Sequence, residues 1–155
     1  MPTRAHVAFR HFFAVLFILC AMLFSLSANC RADLAFGLGY PFISMKYAPD
    51  YFPYLGVETK YAFGDTVSVL AARGYINFIK MNKLHFYAAY EYGYLYFEKG
   101  SGKEYGGCLG IEIRPNPKMG LALDIAPTII DVYSREVGLK EMEWIATVCF
   151  YFHPF

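Results

Sequence analysis

The chain has 155 residues, 57% hydrophobic, 19% aromatic and 17% charged, with a formal net charge of +1. That length suits one domain with a real interior. The charge is well under the roughly 25% of an ordinary soluble domain, and no concentrated basic face is present, which excludes a nucleic-acid partner.

Read from the N-terminus, Arg4 and Arg10 precede an apolar run of 13 residues, Phe12 to Phe24, and "SLSANCRA" and Asp33 follow it. A basic start, a short apolar core and a small-residue site are the parts of a cleaved export signal. It is read over residues 1–32 with cleavage after Ala32, Ser27 and Ala28 being other positions for the cut. A membrane anchor would need about 20 apolar residues, and Asn29 is a poor residue before a lipidated Cys30. Removing residues 1–32 deletes Arg4, Arg10 and Arg31 and no acid, leaving 11 Lys+Arg against 13 Asp+Glu, a net charge of −2. The cysteines fall to Cys108 and Cys149, which fit no metal-ligand spacing. They read as small buried residues, although export would permit a disulfide.

The rest of the chain carries segments of alternating hydrophobicity, the pattern of strands with two unlike faces. They fall at about 34–47, 54–64, 67–80, 84–98, 104–115, 118–133 and 143–153. The expected connections are Gly64-Asp65, Met81-Asn82-Lys83, "KGSGK" at Lys99–Lys103 and Pro115-Asn116-Pro117, with one longer loop, Asp131–Glu143. Gly, Asn, Asp and Pro each favour turn geometry, and links this short join antiparallel neighbours. Seven segments is an odd count, whereas single-chain bacterial barrels have even strand numbers. Either residues 33–48 fold back near Tyr40-Pro41, or the 118–133 segment breaks at Pro127.

The faces follow from the alternation. In "YGGCLGIEIRPNPKMGLALDI", Tyr105–Ile125, one face holds Gly106, Cys108, Gly110, Glu112, Arg114, Gly120, Ala122 and Asp124. The other holds Leu109, Ile111, Ile113, Leu121, Leu123 and Ile125. In 54–64, Gly56, Glu58, Lys60 and Ala62 oppose Leu55, Val57, Thr59, Tyr61 and Phe63. In 84–98, His85, Tyr87, Ala89, Glu91 and Gly93 oppose a row of Tyr90, Tyr92, Tyr94 and Tyr96; in 67–80, Arg73 is placed with Tyr75 and Asn77. The charged face therefore collects Glu58, Lys60, Arg73, Glu91, Glu112, Arg114 and Asp124 among small residues. A soluble barrel would put its aliphatics inside. Here the pattern is that of a narrow polar lumen with aliphatics facing hydrocarbon and aromatics at the interfaces. Helices and closed barrels alone satisfy every backbone group in a bilayer. The expected fold is therefore all-β: a closed antiparallel up-and-down transmembrane β-barrel of about eight strands over residues 33–155.

On these features, the "AARGYINF" stretch at Ala71–Phe78 and the aromatic close "WIATVCFYFHPF", the chain resembles the small outer-membrane β-barrel proteins of Gram-negative-type bacteria. The resemblance implies a bacterial outer-membrane location, outer-membrane lipid as surroundings, and delivery by the barrel-assembly machinery, which reads a terminal aromatic such as Phe155. By alternation Phe152 is the last outward aromatic, so His153-Pro154-Phe155 reads as a short extension. The resemblance implies no single function, because such barrels host adhesins, lipid enzymes, pores and structural proteins.

No chemistry stands out. No phosphate loop, nucleotide fingerprint or zinc spacing occurs, and no cofactor is expected. His85 has no serine near it in sequence and reads as a polar residue at the barrel rim. Glu112 and Asp124 lie across one hairpin, but Arg114 and Arg73 make a structural ion-pair network the better reading than a paired-carboxylate acid/base site. The expectation is a non-enzymatic barrel with a structural or surface-interaction role, its contact surface the Asp131–Glu143 loop with Arg135, Glu136, Lys140 and Glu141. The alternatives are an outer-membrane lipid-modifying enzyme, a small pore, and a soluble lipocalin-like periplasmic barrel.

Overall fold

The structure is a computed structural model that describes residues 32–40, 42–49, 52, 54–64, 66–98, 100–134 and 138–154. The export signal expected over residues 1–32 lies, apart from Ala32, outside the described residues.

Eight antiparallel strands follow one another around a closed barrel: β1 (Ala32–Gly39), β2 (Phe42–Pro49), β3 (Leu55–Phe63), β4 (Val67–Met81), β5 (Leu84–Phe97), β6 (Gly100–Asn116), β7 (Met119–Ser134) and β8 (Gly138–Phe152). Each strand pairs with its sequence neighbour, and β8 closes on β1 through Phe36↔Phe152 to Gly39↔Cys149. Up-and-down order is what short links dictate, and closure leaves no sheet edge where the ring is complete.

Of the two routes to an even strand count, the fold-back is the one observed: the 34–47 segment is two strands, β1 ending at Gly39 and β2 starting at Phe42, and β7 runs through Pro127 with Pro127 opposite Trp144. Pro lacks an N–H, so it ends a ladder only where that donor was needed. Two other sequence expectations are corrected. The "KGSGK" connection is shorter than expected, since Gly100–Lys103 already pair with Phe97–Tyr94. The expected loop Asp131–Glu143 is mostly ladder: Asp131 pairs with Lys140, Val132 with Leu139 and Tyr133 with Gly138. Arg135 and Glu136 lie outside the described residues. For Asp131–Glu143 the reason is that alternation marks a strand only where its two faces meet different surroundings, and where both faces are solvated the ladder continues without it.

The strands differ in length: eight or nine residues in β1–β3 against 14 to 17 in β4–β8. Ala32 and Phe152 lie at one end, here the terminal end, with tight links such as Asn82-Lys83 and Pro117-Lys118. Asn82 takes a positive φ of 47°, which Asn tolerates better than most residues. The row Met45, Thr59, Ala72, Tyr92, Tyr105, Ile129, Met142 follows the pairing across seven strands. It starts in the middle of β2 and finishes near the far end of β8, so the strands are tilted, as barrel closure requires. Tilt and unequal length together make the far rim a staircase, lowest at the β1–β2 hairpin and highest at β7–β8.

Candidate functional site

The lumen is where charge, burial and geometry meet. Glycines and alanines on the inward positions leave room for larger groups at the same level. A Cβ at Gly110 would overlap the Tyr87 ring, and one at Gly56 would overlap Tyr75. Around these gaps the inward side chains stack in layers.

At the terminal end, Glu112 of β6 has no exposed surface. Its Oε2 accepts from Lys46 Nζ at 2.5 Å and its Oε1 from Arg114 Nε at 2.5 Å. Arg114 Nη1 donates to Asp33 Oδ2 at 2.6 Å, and His153 Nδ1 lies 2.6 Å from Asp33 Oδ1. His153 is 1% exposed; its Nε2 has no hydrogen-bond partner among the described residues and stands 3.6 Å from Glu112 Oε1. His153 does lie past the end of β8, and it forms a buried clasp there. Its backbone N–H donates to Lys118 O at 2.9 Å, and its ring ties β8 to β1. Burial opposes charging the His153 ring, but the carboxylates of Asp33 and Glu112 outweigh it and hold its pKa above the ordinary value.

The next layer fills the bore. Lys46 Nζ sits 4.4 Å from the Tyr75 ring centroid, 4.8 Å from Tyr151 and 5.1 Å from Tyr87, a cation held against three aromatic faces. Tyr151 OH donates to Glu58 Oε1 at 2.6 Å, and Tyr87 OH donates to Asp124.

Above it, five charges from four strands form one network. Arg73 Nε donates to Glu91 Oε2 at 2.7 Å, its Nη1 pairs with Asp124, and Glu58 Oε2 is 3.7 Å away. Lys60 Nζ lies 3.1 Å from Glu91 and 3.8 Å from Asp124, and Thr147 Oγ1 donates to Asp124 Oδ2 at 3.1 Å. Each acid is thus paired, and Glu58 and Asp124 are buried while Glu91 borders a cavity; pairing is the condition under which buried charge is tolerated.

The seven residues singled out in the sequence divide between two networks. Glu58, Lys60, Arg73, Glu91 and Asp124 meet in the upper one; Glu112 and Arg114 belong to the lower one. Glu112 faces Ala122 across the β6–β7 hairpin and Asp124 faces Gly110, so the two acids stand at different levels with separate partners. Tyr75 and Tyr87 already stood on the charged face in the sequence, whereas Lys46, Asp33, His153 and Tyr151 were missed. Lys46 could have been found by continuing the alternation of Phe42 and Ser44; the partners of Asp33 and His153 are 81 and 120 residues away in sequence, and no local signal connects them.

His85 is half-buried and stands opposite Lys80 on β4 and Glu112 on β6. Cys108 and Cys149 are buried and free. Among the described residues no group of three His, Cys, Asp or Glu could hold a metal ion, and no helix is long and apolar enough to cross a membrane. Beyond the upper network a cavity of about 140 Å³ opens toward the far end, with Glu104 on its wall. A comparison with protein-family models finds no match, and a search of curated proteins finds none.

Proposed function

We propose that this chain is an integral outer-membrane β-barrel protein, exported through a cleaved signal peptide, with a non-enzymatic structural or surface-interaction role. One observation carries the reading: the barrel is inside out relative to a soluble one. Leu109, Ile113, Leu121, Leu123, Ile125 and Val148 on its outer wall are 45–61% exposed, while Lys46, Glu58, Lys60, Arg73, Glu112 and Asp124 are at most 6% exposed. A continuous apolar wall of this extent is untenable in water and is the surface that hydrocarbon solvates. Aromatics flank the aliphatic band, with Tyr94, Tyr96 and Trp144 exposed toward the far end and Phe78 and Phe152 toward the terminal end, in keeping with interfacial girdles. Both Ala32 and Phe152 at one end also suits an even-stranded barrel with periplasmic termini. The layer of Lys46, Tyr75, Tyr87 and Tyr151 across the bore supports a plug rather than a pore.

The test is fractionation followed by reconstitution. The protein should stay with the outer membrane after osmotic shock, float with liposomes, and show heat-modifiable gel mobility. Release by osmotic shock would give the soluble-barrel reading instead. Steady single-channel conductance in planar bilayers would make it a pore.

A further inference from the structure

The far-end cavity is walled by residues of every strand except β1. β1 stops at Gly39, opposite Cys149, whereas β8 continues for 11 more residues to Gly138. Roughly 35 Å of β8 therefore rises beyond its last β1 partner, at about 3.3 Å per residue. The cavity wall passes from Ile145 and Thr147 on β8 to Phe42, the first residue of β2, across a gap that no strand of the described residues fills. The gap begins at the level of Val148 and reaches that of Trp144, both outward and exposed, so it cuts into the apolar band itself.

We infer that this gap is a lateral portal, through which the far-end cavity takes the head of a membrane-resident, single-chain amphiphile bearing an ammonium group. The inference rests on the membrane reading above. Three features define the ligand. The upper wall is apolar, formed by Phe42, Ala62, Val69, Ala126 and Ile145, which suits the first methylenes of a chain. The polar lining holds more carboxyl groups than cations: Glu91, Glu104 and Asp124 against Lys60 and Arg73. Both cations are already committed to Glu91 and Asp124, while Glu104 joins no ion pair among the described residues. A cationic donor entering here meets a carboxyl group not engaged in any ion pair among the described residues, and its approach favours the ionised form of that group; an anion meets only cations already paired. The open edge points the same way. Among the described residues no strand pairs with β8 on that side beyond Cys149, and unpaired backbone groups are not sustained in hydrocarbon. A polar head, with the water it draws in, supplies their partners. The cavity of about 140 Å³ leaves room for such a head.

The purified protein in maltoside micelles is titrated with decylammonium and with decyl sulfate by calorimetry. Glu104→Gln removes the unpaired carboxyl group, Ala126→Phe fills the cavity, and liposome flotation of every variant reports the barrel independently. Decylammonium should saturate at one site, weaken about tenfold in Glu104→Gln, and lose saturable binding in Ala126→Phe; decyl sulfate should not saturate. Equal responses to the two amphiphiles, or unchanged binding in Glu104→Gln, overturn the inference while flotation leaves the membrane reading standing. A protein that does not float overturns both.

Discussion

Replacing Arg73 by Met removes the guanidinium that reaches three carboxylates. At an effective dielectric near 20, its separations of 2.7 Å from Glu91 and 3.7 Å from Glu58 correspond to gross attractions of about 6 and about 4.5 kcal/mol. Most of that offsets the cost of taking the charges out of water, so it is no measure of net stability. What the variant reveals is the mates left behind. Glu91 and Asp124 would then share Lys60, which is 3.1 Å from Glu91 and 3.8 Å from Asp124, and Glu58 would keep the Tyr151 hydroxyl but no ion pair among the described residues. Breaking a buried network on one side costs about 3–5 kcal/mol. That loss is expected in urea unfolding from lipid vesicles, followed by emission of Trp144, the single tryptophan of the chain, and by gel mobility. Arg73→Lys should recover little, because one ammonium cannot present the forked donors that Arg73 uses. Adding Asp124→Asn to Arg73→Met should return about 1–3 kcal/mol, the coupling expected between contacting groups. A loss under about 1 kcal/mol for Arg73→Met, with no coupling to Asp124→Asn, would refute the claim that these charges form one network.

Two other outcomes are expected. His153 has a raised pKa in the folded state, so its stabilising contribution is fully present below its ordinary value of about 6.5 and is lost as pH rises through the folded-state value. The urea midpoint should therefore fall as pH rises above about 6.5, and this part of the slope should vanish in His153→Gln; an identical profile in the variant would remove His153 from the clasp. Gly56→Ala should cost about 1–3 kcal/mol by overpacking, because its Cβ would overlap the Tyr75 ring. Gly74→Ala, with nothing within 4 Å of its Cβ, should change stability by no more than about 0.5 kcal/mol; comparable losses at both positions would show that strand glycines matter here for backbone reasons alone.

The sequence by itself determined the strand period and the two faces wherever those faces met unlike surroundings. Leu109, Ile111 and Ile113 alternate with Cys108, Gly110 and Glu112 because one row packs into a narrow lumen and the other does not, and a period of two is the geometry of the pleat. Alternation was silent where that contrast fails. At Asp131–Tyr133 and Gly138–Glu143 the ladder continues with most side chains exposed or partly exposed on both faces. The fold-back between Gly39 and Phe42 was legible only as one of two options: the turn residues at Tyr40-Pro41 suggested it, but the apolar pattern of Leu34 to Tyr47 looks continuous, and the structure decided it. The partners of the charges were decided only by the tertiary structure. Lys46 meets Glu112 across 66 positions and His153 meets Asp33 across 120, because the tilt of the strands and the closure of β8 on β1 set which inward residues share a level. Those are properties of the whole ring, and no single segment of the chain encodes them.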